Sequence, residues 1–356
     1  MGTRHIVTHG ALDYAELAAH GFQPDGLLDF SSNVNPFGPP PAVRAALAAL
    51  DPAPYPDRSC LQLRRELAVR HGCDMGQVLP GNGSNELIHL LARALLRSGD
   101  VSLVIGPTFG EYAHASQLAH ARVVEWRTGA TEHFAIDCAS VLDQIRRLRP
   151  RLTWLCTPNN PTGAQSQAAD RIAIAEACTA NDGLLVVDRT YLAFVRGCES
   201  LSDQLAQVPS NVLQLHSLTK SYALAGLRLG YLLGDADVIA RVAAYQPVWS
   251  VSSAAQAAGL AALDDADFLP RTMPQLWLAS DTLHDGLQRF GLVMWRGARP
   301  FLLARTGDGA ATRTALLARG CVVRDCASFG LPEWVRVAPR GPEDNARLLE
   351  IWKELV

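Results

Sequence analysis

The 356-residue sequence predicts an α/β fold, in which a large domain with a mostly parallel sheet covered by helices is joined to a smaller α+β domain. Three observations carry that expectation. From residue 101 short, nearly continuous apolar runs alternate with helical stretches, the pattern of strands buried on both faces. Polar and turn-forming residues follow those runs at their carboxyl ends, where ligands bind in such sheets. After about residue 250 the texture changes to long amphipathic helices and shorter strands. The domains are expected at 1–30 (an N-terminal arm, part of the small domain), 31–250 (large) and 251–356 (small).

Each element follows from a local pattern. Leu12 to Ala19 reads as a short amphipathic helix, followed by Leu27-Leu28-Asp29-Phe30. Ser31 to Pro41 has too many prolines and turn formers for helix or strand and is expected to line a cleft. Pro41 to Leu50 and Cys60 to His71 read as helices, joined by a proline-rich turn carrying Tyr55. Gly81-Asn82-Gly83-Ser84-Asn85-Glu86 then leads into the apolar helix Leu87 to Leu96. A glycine turn that opens a helix offers unpaired N–H groups at the positive end of the dipole, which suits a phosphate; a plain helix cap is the competing reading.

Val101 to Ile105, Arg122 to Trp126, Leu152 to Cys156, Leu184 to Asp188, Val212 to Leu215 and Leu229 to Leu233 read as strands. Helices such as Ala139 to Leu148 and Ala168 to Ala180 lie between some of them. Beyond Tyr245 to Val251, helices are expected at Ser253 to Ala262 and Pro274 to Phe290. Strands follow at Leu292 to Trp295, Phe301 to Ala304, Cys321 to Arg324 and Trp334 to Ala338, then a closing helix from Pro342 to Leu355.

Composition excludes several classes of function. Hydrophobic residues at 48% and charged residues at 19% describe an ordinary globular chain. A net charge of −3 gives no electrostatic reason to expect nucleic acid or an anionic membrane as partner. Apolar runs are too short for a membrane span, and the N-terminus lacks the order of a signal peptide, so a cytoplasmic location is expected. The eight cysteines show no paired CxxC spacing and are read as reduced thiols, with no metal site.

The chemistry centres on His216 to Gly230. The chain has only two lysines, Lys353 in the charged tail and Lys220 among hydroxyls and small residues just past a strand. A desolvated lysine can lose its proton and form a Schiff base, which arginine cannot; Arg228, eight residues on, would lower its pKa further. Other candidates fall at neighbouring strand ends: Phe109, Thr157 to Gly163, and Asp188 to Tyr191. Together they meet the needs of an aldehyde on a phosphorylated pyridine ring. Lys220 supplies the amine, Asp188 a carboxylate for the ring nitrogen, and Asn160 and Tyr191 partners for the phenolic oxygen. Gly83, Ser84, Asn85, Ser217, Thr219 and Arg228 offer a phosphate cradle, and Phe109 a stacking face.

At Asn160-Pro161-Thr162-Gly163, Asp188 with Tyr191, and Ser217 to Gly230, the sequence resembles fold type I pyridoxal-phosphate transferases of the class I/II aminotransferase group. The resemblance covers nearly the whole chain. It implies pyridoxal 5'-phosphate as cofactor, with Lys220, Asp188, Tyr191 and Asn160 catalytic. It further implies a homodimer in which Tyr55 reaches the neighbouring subunit's cofactor phosphate. Arg336 matches the arginine that clamps a substrate carboxylate, for which a bidentate fork is suited.

Two branches share Asn33-Val34-Asn35-Pro36, Tyr55-Pro56 and Arg324 twelve residues before Arg336: histidinol-phosphate aminotransferase and threonine-phosphate decarboxylase. His9-Gly10, Leu28 to Ser31, Ser217 to Lys220 and Trp249-Ser250-Val251 resemble the second more closely. The expected function is therefore decarboxylation of L-threonine O-3-phosphate to (R)-1-aminopropan-2-ol phosphate in cobalamin assembly. His9, Gly10, Asn33, Arg324 and Arg336 would be the substrate contacts. A phosphate-recognising aminotransferase is the alternative, and a catalytically silent binding or regulatory module is a third reading. Ala11, Arg189-Thr190 and Val248 depart from the decarboxylase pattern.

Overall fold

The computed structural model describes residues 10–196 and 210–355. In chain order the first elements are α1 (Tyr14–Ala19), β1 (Leu28–Asp29), α2 (Pro41–Ala48), α3 (Leu61–His71), β2 (Val78–Asn82) and α4 (Gly83–Leu95). Then come β3 (Val101–Gly106), α5 (Glu111–Leu118), β4 (Arg122–Arg127), α6 (Cys138–Leu148), β5 (Leu152–Cys156), α7 (Ala168–Thr179) and β6 (Leu184–Asp188). Next are β7 (Val212–Ser217), α8 (Leu218–Ser221), β8 (Leu229–Leu233), α9 (Ala236–Ala243), α10 (Ser253–Asp264) and α11 (Phe268–Gln288). The last are β9 (Val293–Trp295), β10 (Leu302–Arg305), α12 (Gly309–Leu317), β11 (Cys321–Val322), β12 (Arg324–Asp325), β13 (Trp334–Val337) and α13 (Pro342–Lys353).

A seven-stranded sheet runs in the order β2-β8-β7-β6-β5-β3-β4. Neighbours from β7 to β4 are parallel, while β8 runs antiparallel to both β7 and β2. Alternation along β6 shows why both faces must be covered: Val186 packs with α4, α5 and α9 on one side, and Leu185 and Val187 pack with α6 and α7 on the other. Leu87, Ile88 and Leu91 of α4 are fully buried in the first of these cores, where truncating one leucine to alanine costs about 2–5 kcal/mol. A third core lies under β2 and β8, where Val43, Leu63, Leu67 and Ala258 pack against Val78, Leu229 and Leu233.

A four-stranded antiparallel sheet, β12-β13-β10-β9, forms from the last part of the chain, beside the parallel pair β1 and β11. Phe30, Leu283, Leu287, Val335, Leu348 and Trp352 share its core.

Helices α5, α9 and α12 were not expected, and three further elements differ from their expected form. Val78–Asn82 is a strand whose last two residues overlap the glycine turn expected from Gly81; Pro80 fits because the strand lies at the sheet edge, where proline is tolerated in a ladder. Helix α11 begins at Phe268, six residues before the expected start, and runs through Pro274. Its face of Phe268, Thr272, Leu276, Ser280, Leu283 and Leu287 is buried, and that burial outweighs the roughly 3 kcal/mol an interior proline costs. Cys321 to Arg324 is two short strands, β11 paired with β1 and β12 paired with β13. No helix of the described residues is long and apolar enough to cross a membrane. The described cysteines are all free thiols; Cys198 lies outside the described residues.

Candidate active site

The carboxyl ends of β3, β5, β6 and β7 open on one cavity of about 230 Å³. Register fixes the spacing of its wall, since Cys156 lies opposite Asp188 and Asp188 opposite Leu215. Adjacent strands are about 4.8 Å apart, so the groups that follow them stand about one strand-width from each other.

Asp188 ends β6 with its carboxylate buried. Oδ2 accepts a hydrogen bond from the Tyr112 hydroxyl at 2.7 Å, and Oδ1 accepts the Thr190 N–H at 2.8 Å. Burial raises its pKa above the ordinary carboxylate value, while these hydrogen bonds act in the opposite direction. Lys220 lies in the single turn of α8, capped by Ser217, whose hydroxyl accepts the Thr219 N–H at 3.3 Å. Burial lowers the Lys220 amine to about 8, and the positive charges of Arg336 and Arg228 add to the effect. An amine in that range is neutral in a useful fraction of molecules near neutral pH, as nucleophilic and proton-transfer work requires.

The opposite wall is Ser31-Ser32-Asn33. Asp29 shapes it by accepting the N–H and hydroxyl of Ser31 at 2.8 and 2.6 Å and the hydroxyl of Ser32 at 2.6 Å. The Asn33 amide donates to the Tyr191 hydroxyl at 3.3 Å, and the Asn35 N–H donates to the Lys220 carbonyl at 2.9 Å. Arg336, on β13, is buried; its guanidinium bonds Asn160 Oδ1 and, at 2.6 Å, the Ser31 carbonyl. Gly10 is required at its place, because a Cβ there would lie 2.6 Å from the Ser31 carbonyl oxygen and 2.7 Å from Arg336 Nη2. Gly83 opens α4 at a φ of +76°, and a Cβ on it would lie 2.6 Å from Arg228 Nη2.

Of the residues expected from sequence, Gly10, Asn33, Ser84, Asn85, Phe109, Asn160, Asp188, Tyr191, Ser217, Thr219, Lys220, Arg228 and Arg336 line this cavity. Gly83 sits directly behind Ser84. Tyr55 does not line it; 79% exposed, it stacks on Trp249 at 4.5 Å. Arg324 does not line it either, although it faces Arg336 across the β12–β13 ladder, and it bonds the Ser328 hydroxyl at 2.6 Å. His9 lies outside the described residues.

Sequence reasoning missed Tyr112 and Arg299. Tyr112 lies in the first turn of α5, just after the loop that carries Phe109, and reading that helix from the sequence would have brought it to the same strand end. Arg299 is buried and donates to the carbonyls of Asn159 at 2.7 Å, Pro161 at 3.0 Å and Phe301 at 3.2 Å, so it ties the loop after β5 to β10. No sequence spacing pointed to it.

The cavity suits a polar, phosphorylated ring. Among the described residues, Asn33 Oδ1 and Asn85 Oδ1 are buried without a hydrogen-bond partner, capacity that a ligand takes up. A carboxylate, a lysine amine and a helix N-terminus converge on it from three different strand ends. Fold and site together define a pyridoxal-phosphate enzyme of the fold type I class.

The family model described as aminotransferase class I and II matches residues 25–351, and the chain belongs to that family. It is 35% identical over 350 residues to the histidinol-phosphate aminotransferase of Methanothermobacter thermautotrophicus, with 95% of this chain and 91% of that protein covered. The structure of histidinol-phosphate aminotransferase from Sinorhizobium meliloti with pyridoxal-5'-phosphate superposes with a TM-score of 0.86 at 23% identity, covering 98% of this chain and 96% of that one. L-Threonine-O-3-phosphate decarboxylase from Porphyromonas gingivalis superposes with a TM-score of 0.80 at 24% identity, covering 92% and 98%.

These findings correct one expectation. Similarity at the sequence level runs to proteins named histidinol-phosphate aminotransferase, reaching 36% identity, whereas the decarboxylase match is one of fold. The decarboxylation of threonine phosphate expected above is overturned, and the placement in cobalamin assembly goes with it. The motifs that suggested it are short: Gly10, Ser31, Ser217, Thr219 and Lys220 line the cofactor cavity, and Leu28 and Trp249-Ser250-Val251 do not. Pyridoxal 5'-phosphate is the cofactor, and the enzyme belongs to the aminotransferase group.

Proposed function

We propose that the protein transfers an amino group between histidinol phosphate, or a close phosphorylated amine, and 2-oxoglutarate. The observation that carries this reading is the similarity, at up to 36% identity, to proteins named histidinol-phosphate aminotransferase. The pairing of Arg324 with Arg336 across β12 and β13, a feature common to both branches, supplies the anion site it needs. Side chains directly opposite in an antiparallel pair share a face, with Cβ atoms about 5 Å apart. Two adjacent guanidiniums on one face suit both partners of such a transfer. A phosphate ester can take both forks, and the two carboxylates of a dicarboxylic oxo acid can take one each.

Within this reading Asp188 would hold the ring nitrogen, and Asn160 and Tyr191 would hold the phenolic oxygen. Gly83, Ser84, Asn85, Ser217, Thr219 and Arg228 would hold the phosphate, and Phe109 would offer the ring a stacking face. The bound cofactor supplies an electrophilic aldehyde and an electron-withdrawing ring that stabilises negative charge beside the amine. Lys220 would take the proton from the Cα of the amine substrate and would give a proton to the carbonyl carbon of the oxo acid when the amino group is passed on, a task matched to an amine with a pKa of about 8. Arg336 and Asn33 orient the substrate so that Lys220 faces the C–H bond; that positioning is worth most when it is best satisfied in the transition state. His9 and Gly10 would complete the substrate side. Tyr55 would serve the cofactor of a second subunit in a homodimer, and residues 31–250 and 251–356 (the latter with the arm 1–30) would be its large and small domains.

The test is to supply the cofactor-loaded enzyme with histidinol phosphate and 2-oxoglutarate and to follow glutamate. Catalytic glutamate formation that is lost in Lys220→Ala supports the reading. Absence of amino transfer, with CO2 released from a phosphorylated amino acid when no oxo acid is present, would overturn it.

A further inference from the structure

A second cavity, of about 630 Å³, takes no part in the chemistry above; Arg93, Arg97, Arg151, Arg241, Asp100 and Tyr245 contribute to its lining. Arg93 is in the last turn of α4 and Arg97 just beyond it; Arg151 immediately precedes β5, and Arg241 is in the last turn of α9. The cavity therefore sits at the amino ends of β3 and β5, whereas Asp188 and Lys220 follow carboxyl ends. Strand β5, five residues long, alone separates the two sites by about 16 Å.

The charge there is unbalanced. Among the described residues none of the four guanidiniums has a carboxylate within ion-pair distance. Asp100 is the acid in the lining, and its Oδ2 is occupied by the Arg97 N–H at 2.8 Å. The carboxyl ends of α4 and α9 add about one negative charge between them, so fixed negative charge reaches roughly half the positive. Compensation of helix ends explains Arg93 and Arg241. It does not explain Arg151, which is on no helix, or Arg97, which lies past the last turn. Two of the four are also held in place: Arg151 Nη1 bonds the Asp182 carbonyl, and Arg93 lies over the Tyr245 ring at 5.6 Å.

We propose that this cavity binds a compact organic polyphosphate, with Arg97, Arg151 and Arg241 on its phosphate oxygens. The guanidinium fork matches phosphate oxygens in pairs. A single phosphate leaves most of the volume and at least two of the arginines unused. The volume falls within the ordinary range of small-molecule sites, about 300–1,000 Å³. The exposed Tyr245 ring offers a base a stacking surface.

Calorimetric titration of the cofactor-loaded enzyme with ATP, inorganic triphosphate, inorganic phosphate and citrate tests this. Three proteins are compared: wild type, the double variant Arg97→Gln/Arg241→Gln, and Arg324→Gln as an active-site control. ATP or triphosphate should bind the wild type and the control alike, and at least about tenfold more weakly to the double variant. Amino transfer by the double variant should match the wild type, which also shows that it folds. Absence of polyphosphate binding, loss in Arg324→Gln but not in the double variant, or citrate binding as tightly as ATP would overturn the proposal.

Discussion

Tyr112 donates its hydroxyl hydrogen to Asp188 Oδ2 at 2.7 Å, from within a fully buried stack. The Tyr112 ring lies against Trp154 at 5.2 Å, and Trp154 Nε1 donates to the hydroxyls of Ser102 and Ser116. The carboxylate is thus aimed by a phenol that cannot itself rotate away. Tyr112→Phe keeps the stack and removes the donor. Turnover should fall about tenfold, roughly 1.4 kcal/mol, with far-ultraviolet circular dichroism unchanged. Wild-type kcat in Tyr112→Phe would show that Asp188 is oriented without it.

Lys220 makes the cofactor-free protein pH-sensitive. Its folded pKa of about 8 lies below the ordinary lysine value, so folding disfavours the charged form. The penalty is complete below pH 8, shrinks between there and about 10.5, and is absent above. Cofactor-free Lys220→Met should therefore melt higher than wild type at pH 7, with the difference closing as pH rises. A difference that stays constant with pH would contradict a depressed amine.

Gly10→Ala should act on substrate more than on cofactor. Its added methyl meets Arg336 Nη2 and the Ser31 carbonyl oxygen, both buried. The expected result is a KM raised about tenfold or more, with cofactor retention at the wild-type level.

Arg299→Met removes the donors from three carbonyls while keeping much of the side-chain volume. The Asn159 carbonyl keeps the Gly163 N–H at 2.8 Å, whereas the Pro161 and Phe301 carbonyls lose their donor. Each buried acceptor left unpaired costs about 1–3 kcal/mol, so denaturant unfolding should report a loss of roughly 2 kcal/mol or more. A loss under about 1 kcal/mol would mean that the loop after β5 is held by other contacts.

Arg324→Gln should raise KM for the phosphorylated substrate by at least about tenfold and leave the cofactor's absorbance unchanged. Equal loss of both would place Arg324 in the cofactor's support.

The strands of the large sheet were legible because burial on both faces writes them as unbroken apolar runs, as in Leu184 to Val187. The cavity was legible where polar residues follow such runs, at Asn160, Asp188 and Lys220. Strand β2 was hidden because its end, Gly81-Asn82, runs into the glycine turn before α4, and because Pro80 is admitted to a strand only at an edge. Tyr112 and Arg299 were hidden for a different reason: each reaches its partner through tertiary packing, and Tyr112 and Asp188 stand 76 positions apart in the chain. Substrate choice was misread because it was weighed on short local matches such as His9-Gly10 and Trp249-Ser250-Val251, whereas similarity over the whole chain runs to proteins named histidinol-phosphate aminotransferase.

The placement of Arg324 and Arg336 on a short ladder of the small sheet has an evolutionary consequence. Asp188 and Lys220 hang from the seven-stranded sheet, and under the proposed role of the arginine pair a lineage can inherit that apparatus intact while it edits two neighbouring strands to accept a new anion. On this architecture specificity is a separately heritable trait, and relatives with one cofactor cradle and different substrates are its natural descendants.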